Sequence, residues 1–293
     1  MNASAMSLGR DAAAGFPRLA AFSAATPTAT GPRPRWATPR RLSVRMDGLP
    51  PARAARPSPP KPLPPQSGVL FDVENVIYDG FQWRVWLFKL VTRMGLNTRY
   101  RLFYRAWEGD WLGRVCSGQI EYWEALRRFL VAAGMSHAQV DEVQAAGQTR
   151  YLAGLDRDRP FPGVAATLAR LTQSGLSLGV LCNTSSSAAD LSARLQRHGL
   201  KQYFRVLACS CDLGAALPDA GCYAAAIDRL ALPAHEVAYV GHRPTEIGGA
   251  RAVGLATIAI NYDADTQADT YLDRFDQLPA VLRPREMPTR KAG

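Results

Sequence analysis

The feature that most constrains the fold is a short apolar run, Val69 to Phe71, that ends on Asp72. Its residues are β-forming and do not alternate with polar ones, as is typical of a parallel strand buried on both faces. Asp72 is then predicted at the carboxyl end of a strand, where open α/β sheets place their functional residues. There Asp72 can act as a nucleophile and Glu74 as a general acid and base. An ordinary strand followed by a polar turn would give the same residues.

The rest of the chain alternates between helical and strand patterns. Residues 81–155 have helical periodicity without a strand pattern and hold five of the six tryptophans, which form the core of this insert or line a pocket over Asp72. Further apolar runs, separated by helical patterns, lie at residues 176–182, 203–209, 237–241 and 255–260. The sequence therefore predicts an α/β fold, a Rossmann-like open parallel sheet of at least five strands wrapped by helices, with an inserted helical cap.

The net charge of +10 is concentrated at the amino terminus, where residues 1–66 carry ten basic and two acidic residues. The remaining 25 basic and 23 acidic residues nearly balance, so a nucleic-acid-binding face is not indicated. Residues 1–66 are rich in Ala, Pro and Arg and are predicted to be a disordered tail that contributes nothing to the core, and residues 283–293 a second tail.

The composition favours a cytoplasmic protein. The sequence has no apolar stretch near the roughly 18 residues that a membrane span needs. Its five cysteines are an odd number without C-x-x-C spacing, which favours reduced thiols. An organelle transit peptide at residues 1–45 is the alternative, and Met46 instead of Met1 is a possible start. The sequence does not indicate an oligomeric state.

The segment at residues 183–187, Asn-Thr-Ser-Ser-Ser, follows an apolar strand and precedes a helical pattern. A helix amino terminus in that position offers free N–H groups and a positive dipole end to an anion. Ordinary capping by Ser, Thr and Asn gives the same pattern.

Two longer stretches carry a resemblance to a known family. They are PFPGVAATLARL at residues 160–171 and VGHRPTEIGGARAVG at residues 240–254. In this order, behind the Asp72 strand and the helical insert, they resemble the haloacid dehalogenase superfamily, in its phosphatase-like form with a helical cap. The resemblance covers residues 67–282. It implies a core formed by residues 67–80 and 156–282, and a cap formed by residues 81–155.

The resemblance also implies site residues. An active member would be a phosphoric monoester hydrolase that acts on a small phosphorylated molecule, with Mg²⁺ as its cofactor and Asp72 as its nucleophile. The residues at the matching positions are Asp72 and Glu74 for catalysis; Cys182, Asn183, His242 and Arg243 for substrate binding; and Asp72, Glu74 and Glu246 for the metal.

Four positions depart from the family pattern, each with a physical cost. Glu74 stands where the family has Asp, and its longer arm misplaces a proton transfer that depends on hydrogen-bond reach. Cys182 offers a weakly donating thiol in place of a hydroxyl. Leu217 replaces a Lys that offsets charge repulsion between carboxylate and phosphate. His242 replaces an Asp, although magnesium prefers oxygen to imidazole.

Two interpretations therefore stay open. One is a hydrolase with a modified, weakened site, and the other is a non-catalytic relative that uses the pocket or cap for binding. Metal-free dehalogenation in this family would also use the Lys that Leu217 replaces. His242 and Arg243 further suggest a metal-free anion site in front of the helix after Asn183, with binding that weakens as pH rises through about 7 because His titrates near pH 6.5.

Overall fold

Six parallel strands form one sheet in the computed structural model, which describes residues 60–154, 159–263 and 265–285. The strands are β1 (Gly68–Phe71), β2 (Ser177–Cys182), β3 (Val206–Cys209), β4 (Val237–Gly241), β5 (Ala256–Ile260) and β6 (Thr270–Leu272). Their spatial order is β3-β2-β1-β4-β5-β6. The predicted α/β fold with a Rossmann-like parallel sheet is confirmed.

Helices connect the strands and cover the sheet. Between β1 and β2 lie α1 (Phe81–Arg93), α2 (Tyr100–Trp107), a π-helical turn (Glu108–Leu112), α3 (Gly113–Cys116), α4 (Tyr122–Ala132), α5 (His137–Gly154) and α6 (Val164–Gln173). After β2 come α7 (Ala188–Arg197), α8 (Ser210–Leu213), α9 (Ala220–Leu230), α10 (Pro244–Ala252) and α11 (Leu278–Val281), with short 3₁₀ turns at Lys201–Tyr203, Ala234–Glu236 and Phe275–Gln277. No helix among the described residues is both long and apolar enough to cross a membrane.

The position of β1 decides where the site forms. All four of its residues are buried, and it pairs with β2 on one side and β4 on the other. Just beyond its last residue, the backbone N–H of Asp72 donates a hydrogen bond to the carbonyl of Val240 at 2.9 Å. The carboxyl ends of β1, β2 and β4 therefore bring Asp72, Asn183 and His242 to the same edge of the sheet.

Helices α1 to α5 have an apolar core of their own, built largely from aromatic side chains such as Phe88, Phe103 and Phe129. This cluster is separate from the two that flank the sheet. Trp107 and Trp123 are among its buried residues, so the tryptophans do contribute to the core of the insert. One contact with the rest of the protein is a hydrogen bond from the buried hydroxyl of Ser210, on α8, to the carbonyl of Cys116 at 2.7 Å.

Two details differ from the sequence predictions. The third strand begins at Val206 instead of residue 203, because Lys201–Tyr203 forms a 3₁₀ turn. A sixth strand, β6, adds to the five that were predicted individually; it has only three residues, too few to give a clear apolar pattern.

The prediction that residues 1–66 contribute nothing to the core is wrong for their last part. Leu63 is 5% exposed within the core cluster, and its N–H donates to the carbonyl of Val281 at 2.9 Å. Gln66 is also buried, and its N–H donates to the carbonyl of Arg283 at 2.7 Å. Among the surrounding prolines, neither the single apolar residue Leu63 nor the backbone pairing of Gln66 gives a pattern that the sequence would reveal. The disorder predicted for residues 1–59 and 286–293 lies outside the described residues.

Candidate active site at the carboxyl edge of the sheet

Asp72 lies at the centre of the polar group at this edge, and it is only 4% exposed. Its Oδ1 accepts a hydrogen bond from the N–H of Val73 at 2.7 Å, and its Oδ2 lies 2.9 Å from Nδ1 of His242. Burial raises the pKa of the Asp72 carboxyl to about 7, although the positive charge of Arg243 opposes the shift. Both carboxyl oxygens are therefore engaged by protein groups.

His242 follows β4 and uses both ring nitrogens within the protein. Nδ1 contacts Asp72, while Nε2 lies 3.2 Å from Nδ2 of Asn75 and 3.4 Å from Nε of Arg243. Burial and the charge of Arg243 together lower the pKa of His242 to about 4. The imidazole is thus uncharged near neutral pH. The expectation that His242 titrates near pH 6.5 is wrong, because the ring is buried beside a permanent cation.

Glu246, on the first turn of α10, is the second buried carboxyl of the site, at 1% exposed. Burial raises its pKa, as does the nearby Asp72, while Arg243 lowers it. Oε1 of Glu246 accepts a hydrogen bond from Nδ2 of Asn183 at 2.9 Å and lies 3.6 Å from Nη1 of Arg243. The edge therefore combines two buried carboxyls with one imidazole and one guanidinium.

Asp72, His242 and Glu246 are the described residues whose ligand atoms come close enough to hold a metal ion, all within 4.8 Å of one another. This donor set has two carboxylates and one imidazole. Mg²⁺ prefers an all-oxygen shell, whereas imidazole suits zinc, iron and copper better. Arg243 adds a permanent positive charge next to two of the three groups.

Glu74 does not join this group. Its Oε1 accepts a hydrogen bond from Nη1 of Arg194, on α7, at 2.5 Å, and its side chain is 43% exposed. The guanidinium of Arg194 also stacks over the ring of Tyr78, with its carbon 4.0 Å from the ring centroid. The predicted general acid is thus held in an ion pair with a residue 120 positions away.

Reciprocal hydrogen bonds between the Asn183 side chain and the Leu217 backbone join two loops of the site. Nδ2 of Asn183 donates to the carbonyl of Leu217 at 3.1 Å and to Glu246, and its Oδ1 accepts from the N–H of Leu217 at 2.8 Å. The Leu217 side chain is buried in the apolar cluster on one face of the sheet. The position where the family carries Lys therefore lies in an apolar environment, and the Asn183 amide is committed to the protein itself.

Cys182, predicted to bind substrate, is buried at the end of β2 beside Cys209 of β3. Its hydrogen bond with the Cys209 thiol and its burial raise the pKa of Cys182 well above the ordinary range. The side chain is therefore a protonated thiol within the core cluster at the edge of the cavity.

The amino terminus of α7, proposed as an anion site from the sequence, is already capped. The Ser187 hydroxyl accepts from the N–H of Asp190 at 3.1 Å, and the Asp190 carboxylate accepts from the N–H of Ser187 at 3.2 Å. Asp212 accepts from the N–H of Ala188 at 2.7 Å. Two carboxylates already take up the N–H groups and the positive dipole end of this helix, so the capping alternative describes it better than the anion-binding one.

A cavity of about 1140 Å³ lies between the helical insert and the edge of the sheet. On the sheet side its lining includes Glu74, Asn183, Arg194 and Arg243, while Asp72 and His242 lie behind that surface. On the insert side the lining is largely aromatic and includes Trp83, Trp86, Phe103, Tyr104, Trp107, Tyr122 and Trp123. Some tryptophans thus face the cavity, as the second alternative for these residues expected.

Sequence reasoning missed several partners of the site. Asn75 reaches His242 from a left-handed backbone conformation (φ 60°), which Asn tolerates better than most residues. Tyr223 donates its hydroxyl to the carbonyl of Glu246 at 2.6 Å, and the Tyr239 hydroxyl lies 3.4 Å from Oε2 of Glu246. Tyr239 offered a weak signal, as a residue with a polar tip within an otherwise apolar strand. The pairing of Arg194 with Glu74 left no signal in the sequence.

Comparison with known proteins identifies related sequences. A family model described as haloacid dehalogenase-like hydrolase matches residues 67–254. The glyceraldehyde 3-phosphate phosphatase of Methanopyrus kandleri is 30% identical over 134 residues, which are 44% of this chain and 55% of that protein. The plasmid phosphoglycolate phosphatase of Cupriavidus necator is 31% identical over 134 residues, 43% of this chain and 57% of that protein. The chain thus spans little more than half the length of these relatives.

Solved structures share the fold. The HAD-hydrolase YfnB from Bacillus subtilis, which was crystallised bound to magnesium, aligns with a TM-score of 0.57 at 19% identity. The alignment covers 75% of this chain and 99% of that one. At this level of identity the likeness shows the fold.

Proposed function

This chain belongs to the haloacid dehalogenase-like hydrolase family, and from that premise we propose that it binds small phosphorylated molecules through a metal-independent anion site, with hydrolysis strongly reduced. The proposal rests on one observation: His242 and Arg243 lie among the two carboxyls that a family member would use to hold its metal. The charges of these four groups largely offset one another.

The charges in the site disfavour the binding of Mg²⁺. A divalent ion held by Asp72, His242 and Glu246 would have to break the contact between Asp72 and His242, and it would lie next to the Arg243 guanidinium. At close range two positive charges repel by several kcal/mol, with about 4 kcal/mol expected for unit charges 4 Å apart at a dielectric constant of 20. The residues present therefore fit Mg²⁺ poorly.

The hydrolytic step is weakened for separate reasons. Oδ1 and Oδ2 of Asp72 already accept or share hydrogen bonds, and its raised pKa keeps about half of this carboxyl protonated near pH 7. Glu74 is paired with Arg194 instead of being poised over Asp72. Leu217 supplies no charge to a transition state, and loss of one such fixed group commonly costs a factor of about 10² to 10³ in rate.

Arg243 is the group best placed to bind the anion. Its side chain is 23% exposed and lines the cavity next to Asn183, whereas Asp72 and His242 lie behind it. Nearby carboxylates, Glu246 first among them, more than offset the effect of burial and raise the pKa of Arg243, so its charge is permanent. A guanidinium offers two parallel N–H donors to a phosphate, and such charge-assisted hydrogen bonds are among the strong ones.

A second candidate is a slow phosphatase that uses a transition metal instead of Mg²⁺. The observation in its favour is the spacing of the Asp72, His242 and Glu246 ligand atoms, all within 4.8 Å. An imidazole and two carboxylates suit Mn²⁺, Fe²⁺ or Zn²⁺. This candidate predicts turnover that appears with one of these metals and is lost in chelator.

Calorimetric titration with inorganic phosphate and with 2-phosphoglycolate, both in chelator, tests the proposal. Binding should be present without metal and should weaken at least tenfold in Arg243→Gln, because the cation that contacts the phosphate is removed. Arg251→Gln is the matched control, since Arg251 lies exposed on the same helix α10 and should leave affinity unchanged.

A turnover assay on p-nitrophenyl phosphate with Mg²⁺, Mn²⁺ and Zn²⁺ separates the two candidates. Hydrolysis should stay near the rate without protein in all three metals. Rapid turnover with Mg²⁺ would overturn the proposal, and turnover with Mn²⁺ or Zn²⁺ alone would favour the second candidate.

A further inference from the structure

The cavity wall that faces Arg243 is built from aromatic rings on the helical insert. Trp83 and Trp86 both line the cavity and are partly exposed, and their ring centroids lie 5.1 Å apart at an interplanar angle of 33°. Nε1 of Trp83 donates to the Tyr122 hydroxyl at 3.0 Å, and the Trp83 ring packs edge-on against Trp123. These contacts fix the first ring of the wall in place.

We propose that the cavity takes an anion that carries a planar aromatic group, with the anionic end at Arg243 and the ring against Trp83 and Trp86. This inference rests on the proposed anion site and names the class of ligand for it. The ligand class is an aryl or heteroaryl phosphate, which differs from the short phosphate named for the Cupriavidus necator relative.

The size of the cavity excludes a close fit to a two-carbon phosphate. Pockets for drug-sized ligands are about 300 to 1,000 Å³ in volume, and this one has about 1140 Å³. A ligand as short as phosphoglycolate would leave most of that space filled by water against apolar rings, which is unfavourable. A ligand with a ring system of one or more fused rings would cover the wall and remove that apolar surface from water.

Two of the arginines on the wall lie over aromatic rings. Arg84 stacks over Tyr104, with its guanidinium carbon 4.1 Å from the ring centroid, and pairs with Glu108 at 2.7 Å. Arg150 stacks over Trp86 at 5.0 Å. These arginines extend the flat surface and make the wall attractive to a further π-system. Arg243 is the cation next to the buried carboxyls.

Calorimetric titration of the full chain in chelator, with four probes, tests this inference. The probes are inorganic phosphate, 1-naphthyl phosphate, octyl phosphate and 1-naphthol. We expect 1-naphthyl phosphate to bind about tenfold more tightly than phosphate and clearly more tightly than octyl phosphate, because stacked aromatic pairs gain beyond the area they bury.

Variants of the wall sharpen the test. Trp86→Leu should remove most of the advantage of the naphthyl group while leaving inorganic phosphate unchanged, and Trp86→Phe should retain much of it. Trp111→Leu is the control, since Trp111 lies in the insert but is not part of the cavity lining.

Each outcome has a defined meaning. If phosphate binds through Arg243 but the naphthyl group adds no affinity, or adds no more than an octyl group does, this inference is wrong and the proposed function stands. The same result is expected if another part of the chain fills the cavity. If 1-naphthol binds as tightly as its phosphate, the anion site fails and the inference fails with it.

Discussion

The two sides of the cavity are stabilised in opposite ways. On the sheet side, polar groups satisfy one another: Asp72 with His242, Glu246 with Asn183, and Glu74 with Arg194. On the insert side, aromatic rings pack mainly against one another. We therefore expect the loss of a single hydrogen-bond partner to destabilise the sheet side, and a change in side-chain volume to destabilise the insert side.

This difference also predicts which property a substitution alters on each side of the cavity. A network of buried polar groups fixes charge and position, so changes there alter the chemistry and the stability together. An aromatic wall contributes contact area, so changes there alter affinity or packing without changing charge. The predictions below test this separation, in order of decreasing effect.

The largest effect is expected for Asn183→Ala. This substitution removes three hydrogen bonds, two with the Leu217 backbone and one with Glu246, and leaves buried polar groups without partners. The free energy of unfolding should fall by about 3 kcal/mol, since each unsatisfied buried group costs about 1 to 3 kcal/mol. Urea unfolding measures the change. Asn97→Ala, at an exposed position, should change it by less than about 0.5 kcal/mol.

An intermediate effect is expected for Gly147→Ala on α5. A Cβ there would lie 2.8 Å from Cζ3 and 2.9 Å from Cη2 of Trp123, so the ring or the helix must shift. Stability should fall by about 1 to 3 kcal/mol, as is usual for overpacking. Inorganic phosphate affinity should not change, because the site at Arg243 is untouched.

Gly113→Ala provides the matched control for this packing test. Gly113 is also helical, but a Cβ there meets nothing within 4 Å. Ala should stabilise it by about 0.5 to 1 kcal/mol because it is the better helix former. Equal effects of the two substitutions in chemical denaturation would show that the aromatic wall is not tightly packed.

The smallest effect concerns pH, and it tests the opposite pKa shifts of Asp72 and His242. The pKa of Asp72 is raised to about 7, so its contribution to stability is lost as pH rises from about 4 through 7. The pKa of His242 is lowered to about 4, so its contribution is present above about 6.5 and is lost as pH falls through 4. Between about pH 4 and 6.5 the two slopes have opposite signs and largely offset each other.

In Asp72→Asn, the pH dependence of stability that comes from His242 should remain without the opposing contribution of Asp72. The variant should gain about 1 kcal/mol of stability between pH 5 and 6, where the unfolded chain binds a proton that the folded chain does not. Wild type and the exposed control Asp228→Asn should show a smaller, similar change in urea midpoint. A variant that follows the wild-type curve would mean that the titration of Asp72 does not offset that of His242.

The sequence predicted the fold and part of the site because those features depend on local patterns. Unbroken apolar runs located β1, β2, β4 and β5 to within a residue or two, and a carboxylate directly after β1 placed Asp72 at the sheet edge. Glu246 was implied by the family resemblance, and the structure brings its carboxylate close to that of Asp72.

The remaining features depend on contacts between distant residues. The ion pair of Glu74 with Arg194 and the bonds of Asn183 with Leu217 join residues 120 and 34 positions apart. The lowered pKa of His242 depends on burial, which no motif encodes. Leu63 was missed because a single apolar residue among prolines carries no periodicity.

The central claim, that His242 and Arg243 take the place of a metal, is tested most directly by calorimetric titration with Mg²⁺. Wild-type protein should show no binding at millimolar Mg²⁺, and phosphate affinity should be the same with Mg²⁺ or chelator. His242→Asp should acquire Mg²⁺ binding, because it restores an oxygen ligand beside Asp72 and Glu246; His235→Asp, at an exposed histidine, should not. Tight Mg²⁺ binding by the wild type, or phosphate binding that requires it, would contradict the account.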